Sequence, residues 1–161
     1  MQRTDNDMAS DPLHLDQQLC FALYAASRAM TQAYRPGLDA LGLTYPQYLV
    51  MLVLWEADDI SLKDLGGRLM LDSGTLTPLV RRLEAQRLLR RVKDPEDERR
   101  IRIRLTTQGQ ALRARAGEVQ GAVLCKMTDP LDLEGLVGLR EQIKTLTCML
   151  RGETSGDTEN P

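Results

Sequence analysis

The sequence predicts a mainly α-helical fold that carries one small two-stranded ribbon. Three observations point to it. Through most of the chain apolar residues recur at steps of three and four, the signature of one helix face. One run breaks that period: Ile101, Ile103 and Leu105 alternate with Arg100, Arg102 and Arg104, which is the period of a strand. Directly before the ribbon, two short amphipathic stretches meet at Leu71-Asp72-Ser73-Gly74, the pattern of a helix-turn-helix followed by a wing.

Residues 1–12 are polar and read as a flexible arm. From Leu13 to Tyr34, the residues Leu15, Leu19, Ala22, Ala26, Met30 and Ala33 mark one side of a helix that Pro36 and Gly37 are expected to end. A short Leu38–Leu43 piece follows. Tyr45 to Trp55 is apolar nearly all round, which predicts a buried helix capped by Thr44, with Pro46 tolerated in its first turn. Ser61 is expected to cap a helix over Leu62–Met70, with Leu62, Leu65 and Leu69 on one side. The next helix runs to about Arg87 and buries Leu76, Leu79, Val80 and Leu83; Pro78 fits inside it only if the helix begins near Gly74.

The ribbon strands are Leu89–Lys93 and Arg100–Leu105, around a charged tip at residues 94–99. Thr106 or Thr107 is expected to cap a long helix bearing Leu112, Ala116, Val119 and Val123, interrupted at Asp129-Pro130. A last helix carries Leu136, Leu139, Ile143, Leu146 and Leu150, and residues 151–161 read as a disordered acidic tail. The organisation is a winged helix-turn-helix at 58–106 between helices at 13–57 and 107–150. Those flanking helices are expected to form a dimerisation domain, because a reader with one recognition helix gains from two-fold pairing across two half-sites.

Composition closes off several functions. At 161 residues, 42% hydrophobic and 27% charged, the chain suits one soluble domain. Its longest apolar or aromatic run, Tyr48 to Trp55, is far shorter than the ~20 residues of a membrane helix. No secretory signal is evident at the start, so a reducing cytoplasm is expected, with Cys20, Cys125 and Cys148 resting as thiols. The cysteines show no metal-site spacing and His14 is the sole histidine, so neither a metal nor a Ser-His-Asp site is expected. With no phosphate- or dinucleotide-binding loop either, no cofactor is expected and the chain does not read as an enzyme.

The formal charge of −2 conceals an asymmetry: residues 81–104 carry ten basic and five acidic side chains. That segment is what a localised contact with a polyanion requires, and it is also what a salt-bridged surface would show.

The run Asp72-Ser73-Gly74-Thr75-Leu76-Thr77-Pro78-Leu79-Val80-Arg81-Arg82-Leu83-Glu84, then Asp94-Pro95-Glu96-Asp97-Glu98-Arg99-Arg100 and Leu105-Thr106-Thr107-Gln108-Gly109, resembles the MarR family of winged-helix repressors. The resemblance spans roughly residues 13 to 150. Within that family, Cys20 with Tyr34 and Tyr45 at offsets of 14 and 25, together with Cys125, resembles the two-cysteine organic-hydroperoxide-resistance regulators. The resemblance implies a homodimeric repressor on pseudo-palindromic double-stranded operator DNA, released when an organic hydroperoxide oxidises Cys20 to a sulfenic acid. Cys125 of the opposing subunit would then resolve Cys20 as a disulfide, and Tyr34 and Tyr45 would bond the Cys20 sulfur. On one continuous helix Cys20 and Tyr34 would stand about 21 Å apart, so their contact calls for folding or dimer packing.

For DNA, the resemblance implies contacts from Asp72, Ser73, Thr75, Thr77, Arg81 and Arg82 on the recognition helix. It also places Arg99 in a minor groove, with Asp97 orienting it. Two other readings remain open at this point: a repressor released by a small phenolic or apolar ligand, and a thiol peroxidase.

Overall fold

The computed structural model describes residues 13–128 and 132–152; the arm at 1–12, the Asp129-Pro130 break and the tail beyond Gly152 lie outside them. After a 3-10 turn at Leu15–Gln17 come α1 (Leu19–Asp39), α2 (Tyr45–Glu56), β1 (Ile60–Ser61), α3 (Leu62–Leu69) and α4 (Ser73–Ala85). Then follow β2 (Leu89–Lys93), β3 (Ile101–Leu105), α5 (Thr107–Met127) and α6 (Leu133–Arg151). The chain divides into two compact units, one up to Val119 and one from Gln120, so the boundary falls within α5.

The core of the first unit is built round α2. Tyr48, Val50, Met51, Leu54 and Trp55 are all buried, and with them Leu65 of α3, Leu76, Val80 and Leu83 of α4, and Leu89 and Ile103 of the sheet. Each such aliphatic contributes about 1.5–3 kcal/mol through burial. Local chemistry starts these helices where the sequence says. Thr44 Oγ1 accepts from the Gln47 N–H while Gln47 Oε1 accepts from the Thr44 N–H, a reciprocal capping box. Ser61 caps α3 through the Asp64 N–H at 3.0 Å. At the head of α5 it is Thr106 that caps, its Oγ1 accepting from the Gly109 N–H at 3.0 Å.

Three expectations are extended or corrected. The two-stranded wing is present as β2 and β3, and β1 adds a third strand to it, in the antiparallel order β1-β3-β2, with Ile60 opposite Ile103 and Leu89 opposite Leu105. A two-residue strand is too short to show a period; β1 is positioned instead by Asp58, whose Oδ1 accepts the Leu105 N–H at 2.8 Å. Secondly, α1 is not ended by Pro36 and Gly37 but runs on to Asp39. Pro36 deprives only the exposed Gln32 carbonyl of a donor, a group water can reach, while Leu38 seats in the core at 1% exposure. Gly37 lies so close to Val119 that a Cβ there would sit 2.5 Å from Val119 Cγ1.

Thirdly, most of the apolar stripe expected for the first helix is uncovered. Leu15 and Leu19 are 58% and 61% exposed, and within α1 only Tyr34 and Leu38 are buried.

Candidate functional site

One candidate surface is made by α4 and the wing. Leu76, Val80 and Leu83 turn one side of α4 into the core, which leaves Ser73, Thr75, Arg81 and Arg82 exposed on the other and Thr77 half-buried. Asp72 is the N-cap: its Oδ1 accepts the Thr75 N–H at 2.8 Å and its Oδ2 the Thr75 hydroxyl at 3.0 Å. Those hydrogen bonds hold its carboxyl below the usual range. Ser73, Arg99 and Arg100 also line a cavity of about 610 Å³ where α3 and α4 face the wing, with Lys63 on its α3 side.

The ambiguity left by the basic segment resolves residue by residue. Arg91 pairs with Glu84 at 2.7 Å, Lys93 with Glu98 at 3.6 Å and Arg100 with Asp97 at 3.4 Å. Arg102 and Arg104, on the face of β3 opposite the buried Ile103 and Leu105, are half-exposed and reach the loop between α2 and β1, their Nε atoms 2.7 and 2.8 Å from the same Asp59 oxygen. Arg102 also reaches Asp94 at 3.3 Å and donates to the Asp59 carbonyl. Between them the two guanidinium groups hold the Asp59 carboxyl down at about 2. Among the described residues Arg81, Arg82, Arg87, Arg90 and Arg99 have no carboxylate partner, so half of the basic side chains stay available to an external anion.

A relay of hydrogen bonds sets the wing tip. Asp94, held by Arg102, accepts the Glu96 N–H at 2.9 Å and the Asp97 N–H at 3.4 Å. Asp97 in turn accepts the Arg99 backbone N–H at 3.0 Å. Asp97 thus fixes the Arg99 main chain, while its ion pair goes to Arg100 rather than to the Arg99 side chain. Arg99 is left exposed and unpaired at the tip.

The second candidate is a thiol and a cluster of phenols. The ring of Tyr34 lies 5.4 Å from that of Tyr45 and 5.5 Å from that of Tyr48, and Tyr45 and Tyr48 are 6.2 Å apart. Burial raises all three phenols, Tyr48 to about 12, so at neutral pH each is protonated and able to donate. Cys20 is exposed in the first turn of α1, where unpaired backbone N–H groups collect. Because α1 is unbroken from Leu19 to Asp39, the 14 residues from Cys20 to Tyr34 correspond to about 21 Å along its axis. The fold gathers Tyr34 with Tyr45 and sets Cys20 a helix length away from Tyr34.

Cys125 is exposed on α5, and Cys148 is half-buried on α6. Among the described residues no group of three or more His, Cys, Asp or Glu side chains could hold a metal, and no helix is long and apolar enough to cross a membrane.

Sequence reasoning missed Tyr48, which reads as plain core but completes the phenol cluster, and Asp59, whose partners are 43 and 45 residues away. The only local signal at Asp59 is its left-handed backbone, φ 59°, which a sequence does not display.

Comparison with known proteins places this geometry. The family model described as transcriptional regulator SarA/Rot matches residues 32–115. The organic hydroperoxide resistance transcriptional regulator of Bacillus subtilis is 49% identical over 114 residues, which cover 71% of this chain and 78% of that protein. The HTH-type transcriptional regulator TtmR of Methylorubrum extorquens is 54% identical over 115 residues, 71% of this chain and 57% of that protein. Reduced AbfR bound to DNA, a Staphylococcus epidermidis protein, superposes with a TM-score of 0.72 at 34% identity, covering 91% of this chain and 99% of that one. AbfR in its disulfide form superposes with a TM-score of 0.65 at the same identity and coverage.

Proposed function

This chain belongs to the MarR family of winged-helix transcriptional regulators, organic-hydroperoxide-resistance type, and from that membership we propose that it is a homodimeric repressor released from its operator by oxidation of Cys20. The observation that carries the reading is the separation on α1 of an exposed thiol from a cluster of protonated phenols. Within one subunit Tyr34 lies out of reach of Cys20. In a dimer that packs the two α1 helices against each other, Cys20 meets Tyr34 and Tyr45 of the partner subunit. The exposed Leu15, Leu19 and Tyr24 beside Cys20, like Val137, Leu139 and Ile143 on α6, then gain the cover that each lacks in a single chain.

The chemistry follows from those groups. Hydrogen bonds from the phenols favour the charged form of the sulfur they meet. The Cys20 thiolate attacks an oxygen of the hydroperoxide; the O–O bond breaks, Cys20 becomes a sulfenic acid, and the alkoxide takes a proton and leaves as the alcohol. Cys125 of the partner subunit then displaces water from the sulfenic acid, and the disulfide draws the α1 and α5 helices to a new separation. Because the recognition helices must meet half-sites at a fixed spacing, that movement ends operator binding.

On DNA, α4 lies in the major groove with Ser73, Thr75 and Thr77 at base edges or phosphates and Arg81 and Arg82 one turn further on. Asp72 contributes by capping the helix that presents them, and Arg99 enters the minor groove. The half of the basic segment without internal partners favours this reading over a salt-bridged surface. Arg99→Ala is expected to weaken operator binding and to lower the slope of log K against log salt by about one. Affinity equal to wild type across a salt titration would remove Arg99 from the interface.

Mixed dimers test the composite sensor. A Cys20→Ser chain and a Tyr34→Phe/Tyr45→Phe chain are each expected to respond poorly alone. Co-refolded, they form heterodimers in which the remaining Cys20 faces wild-type tyrosines, and hydroperoxide sensitivity returns. Heterodimers as unresponsive as the two parents would place the thiol and phenols in the same subunit and contradict the arrangement.

A further inference from the structure

Asp59 stands in the loop between α2 and β1 with a left-handed backbone, φ 59°. Glycine fills such a position at least cost and asparagine tolerates it as well as aspartate does, so the conformation itself calls for no carboxylate. Asp58 holds the residue there, its Oδ1 accepting the Asp59 N–H at 2.8 Å as well as the Leu105 N–H. What the Asp59 carboxylate adds lies on the sheet. Arg102 and Arg104 share one face of β3, and Arg90 of β2 stands directly opposite Arg104. Like charges so placed repel, and Asp59 is the carboxylate that Arg102 and Arg104 both meet.

From Arg102 the connection continues to the wing tip. Asp94, 3.3 Å from Arg102, directly follows β2. Its N–H donates to the Arg100 carbonyl at 2.9 Å, and the Arg100 N–H donates to the Asp97 carbonyl at 2.8 Å. Together with the bonds that Asp94 and Asp97 accept from Glu96, Asp97 and Arg99, these tie the main chain on both sides of Arg99 back to Asp94. All of them are internal to the wing. It is Arg102, on Asp59, that refers the tip to the loop after α2.

Resting on the reading of Arg99 as a minor-groove residue, we propose that Asp59 is a positioning residue for operator binding. By clamping Arg102 and Arg104 it fixes the angle of the wing, and with it the place of Arg99 in the groove, while itself touching no DNA. Charge alone predicts the opposite effect: removing a carboxylate and freeing two arginines raises affinity for a polyanion. If Asp59 positions Arg99, the same substitution weakens binding.

The test measures operator affinity of the reduced full-length dimer across a salt titration for wild type, Asp59→Asn, Arg99→Ala and the double variant. Asp59→Asn is expected to bind about fivefold more weakly than wild type, with a salt slope lowered nearly as far as that of Arg99→Ala. The double variant is expected to bind as Arg99→Ala does, because nothing is left to position. Hydroxyl-radical footprinting reads the same event on the DNA: Asp59→Asn loses the minor-groove protection at the wing, while methylation protection by α4 in the major groove persists. Asp59→Gly, which suits the left-handed backbone and also lacks the carboxylate, is expected to match Asp59→Asn. A loss that adds to that of Arg99→Ala, or that weakens the major-groove contacts equally, is damage to the fold at large and overturns the proposal. Affinity in Asp59→Asn equal to or above wild type overturns it too. Should Arg99→Ala bind like wild type, the wing reading itself fails, and the positioning role with it.

Discussion

Cys20→Ser is expected to stay on its operator at hydroperoxide concentrations that strip the wild-type protein from it entirely. Serine keeps the size and exposure of the side chain in the first turn of α1 but cannot form a sulfenic acid, so DNA affinity under reducing conditions stays near wild type. One equivalent of cumene hydroperoxide, a non-reducing gel and operator binding on the same sample read the effect. Wild type shows a dithiothreitol-reversible dimer band appearing as binding is lost, and Cys20→Ser shows neither. Cys125→Ser separates the two steps: it still reacts, stopping at the sulfenic acid, but forms no crosslink. A covalent dimer persisting in Cys125→Ser would transfer the resolving role to Cys148. A Cys20→Ser protein that lost its operator like wild type would leave a repressor governed by a ligand, with the thiols incidental.

Much of this arrangement is legible in the sequence because it depends on chemistry between near neighbours. Thr44, Ser61 and Asp72 announce helix starts, since a side-chain oxygen three residues ahead of an orphan N–H is a local relation. The strand period of β3 survives because one face of that strand is buried. What stays hidden depends on distance along the chain. Nothing near Arg102 shows that it pairs with Asp59, so the alternating arginines of β3 look like a surface for an external anion when two of them tie the wing to the loop between α2 and β1. Pro36 misleads for a related reason: its local penalty is real, but burial of Leu38 outweighs it. The tyrosines are half-legible. Their offsets from Cys20 carry the family resemblance, but only the unbroken length of α1 shows that the thiol and the Tyr34 phenol of one chain stand too far apart to meet.

Gly109→Ala is expected to be the most damaging single-methyl change in the first unit. A Cβ at Gly109 would fall 1.9 Å from the Leu88 carbonyl oxygen, 2.9 Å from its carbon and 3.2 Å from Leu105 Cδ2. Two of those atoms are main chain and cannot swing aside. The surroundings are fixed as well: the Trp55 indole N–H donates to the Gly109 carbonyl at 2.9 Å, and the Thr106 hydroxyl donates to the Arg87 carbonyl at 2.6 Å. Room for the methyl group therefore requires α5 to lift from the α4–β2 turn and these hydrogen bonds to break. A cost of about 4 kcal/mol is expected, a Tm lower by about 10 °C at matched protein concentration. Gly117→Ala, on the same helix with nothing within 4 Å of its Cβ, is the control and is expected to stabilise by up to about 1 kcal/mol. The comparison also bears on regulation. Gly109 sits where α5, the helix that carries Cys125, meets the end of α2 and the start of the wing. A helix held that tightly cannot move without carrying the wing with it, which the proposed release of DNA requires. If Gly109→Ala melted like wild type and kept its oxidation response, that contact would be soft and the movement would have to reach the wing by another route.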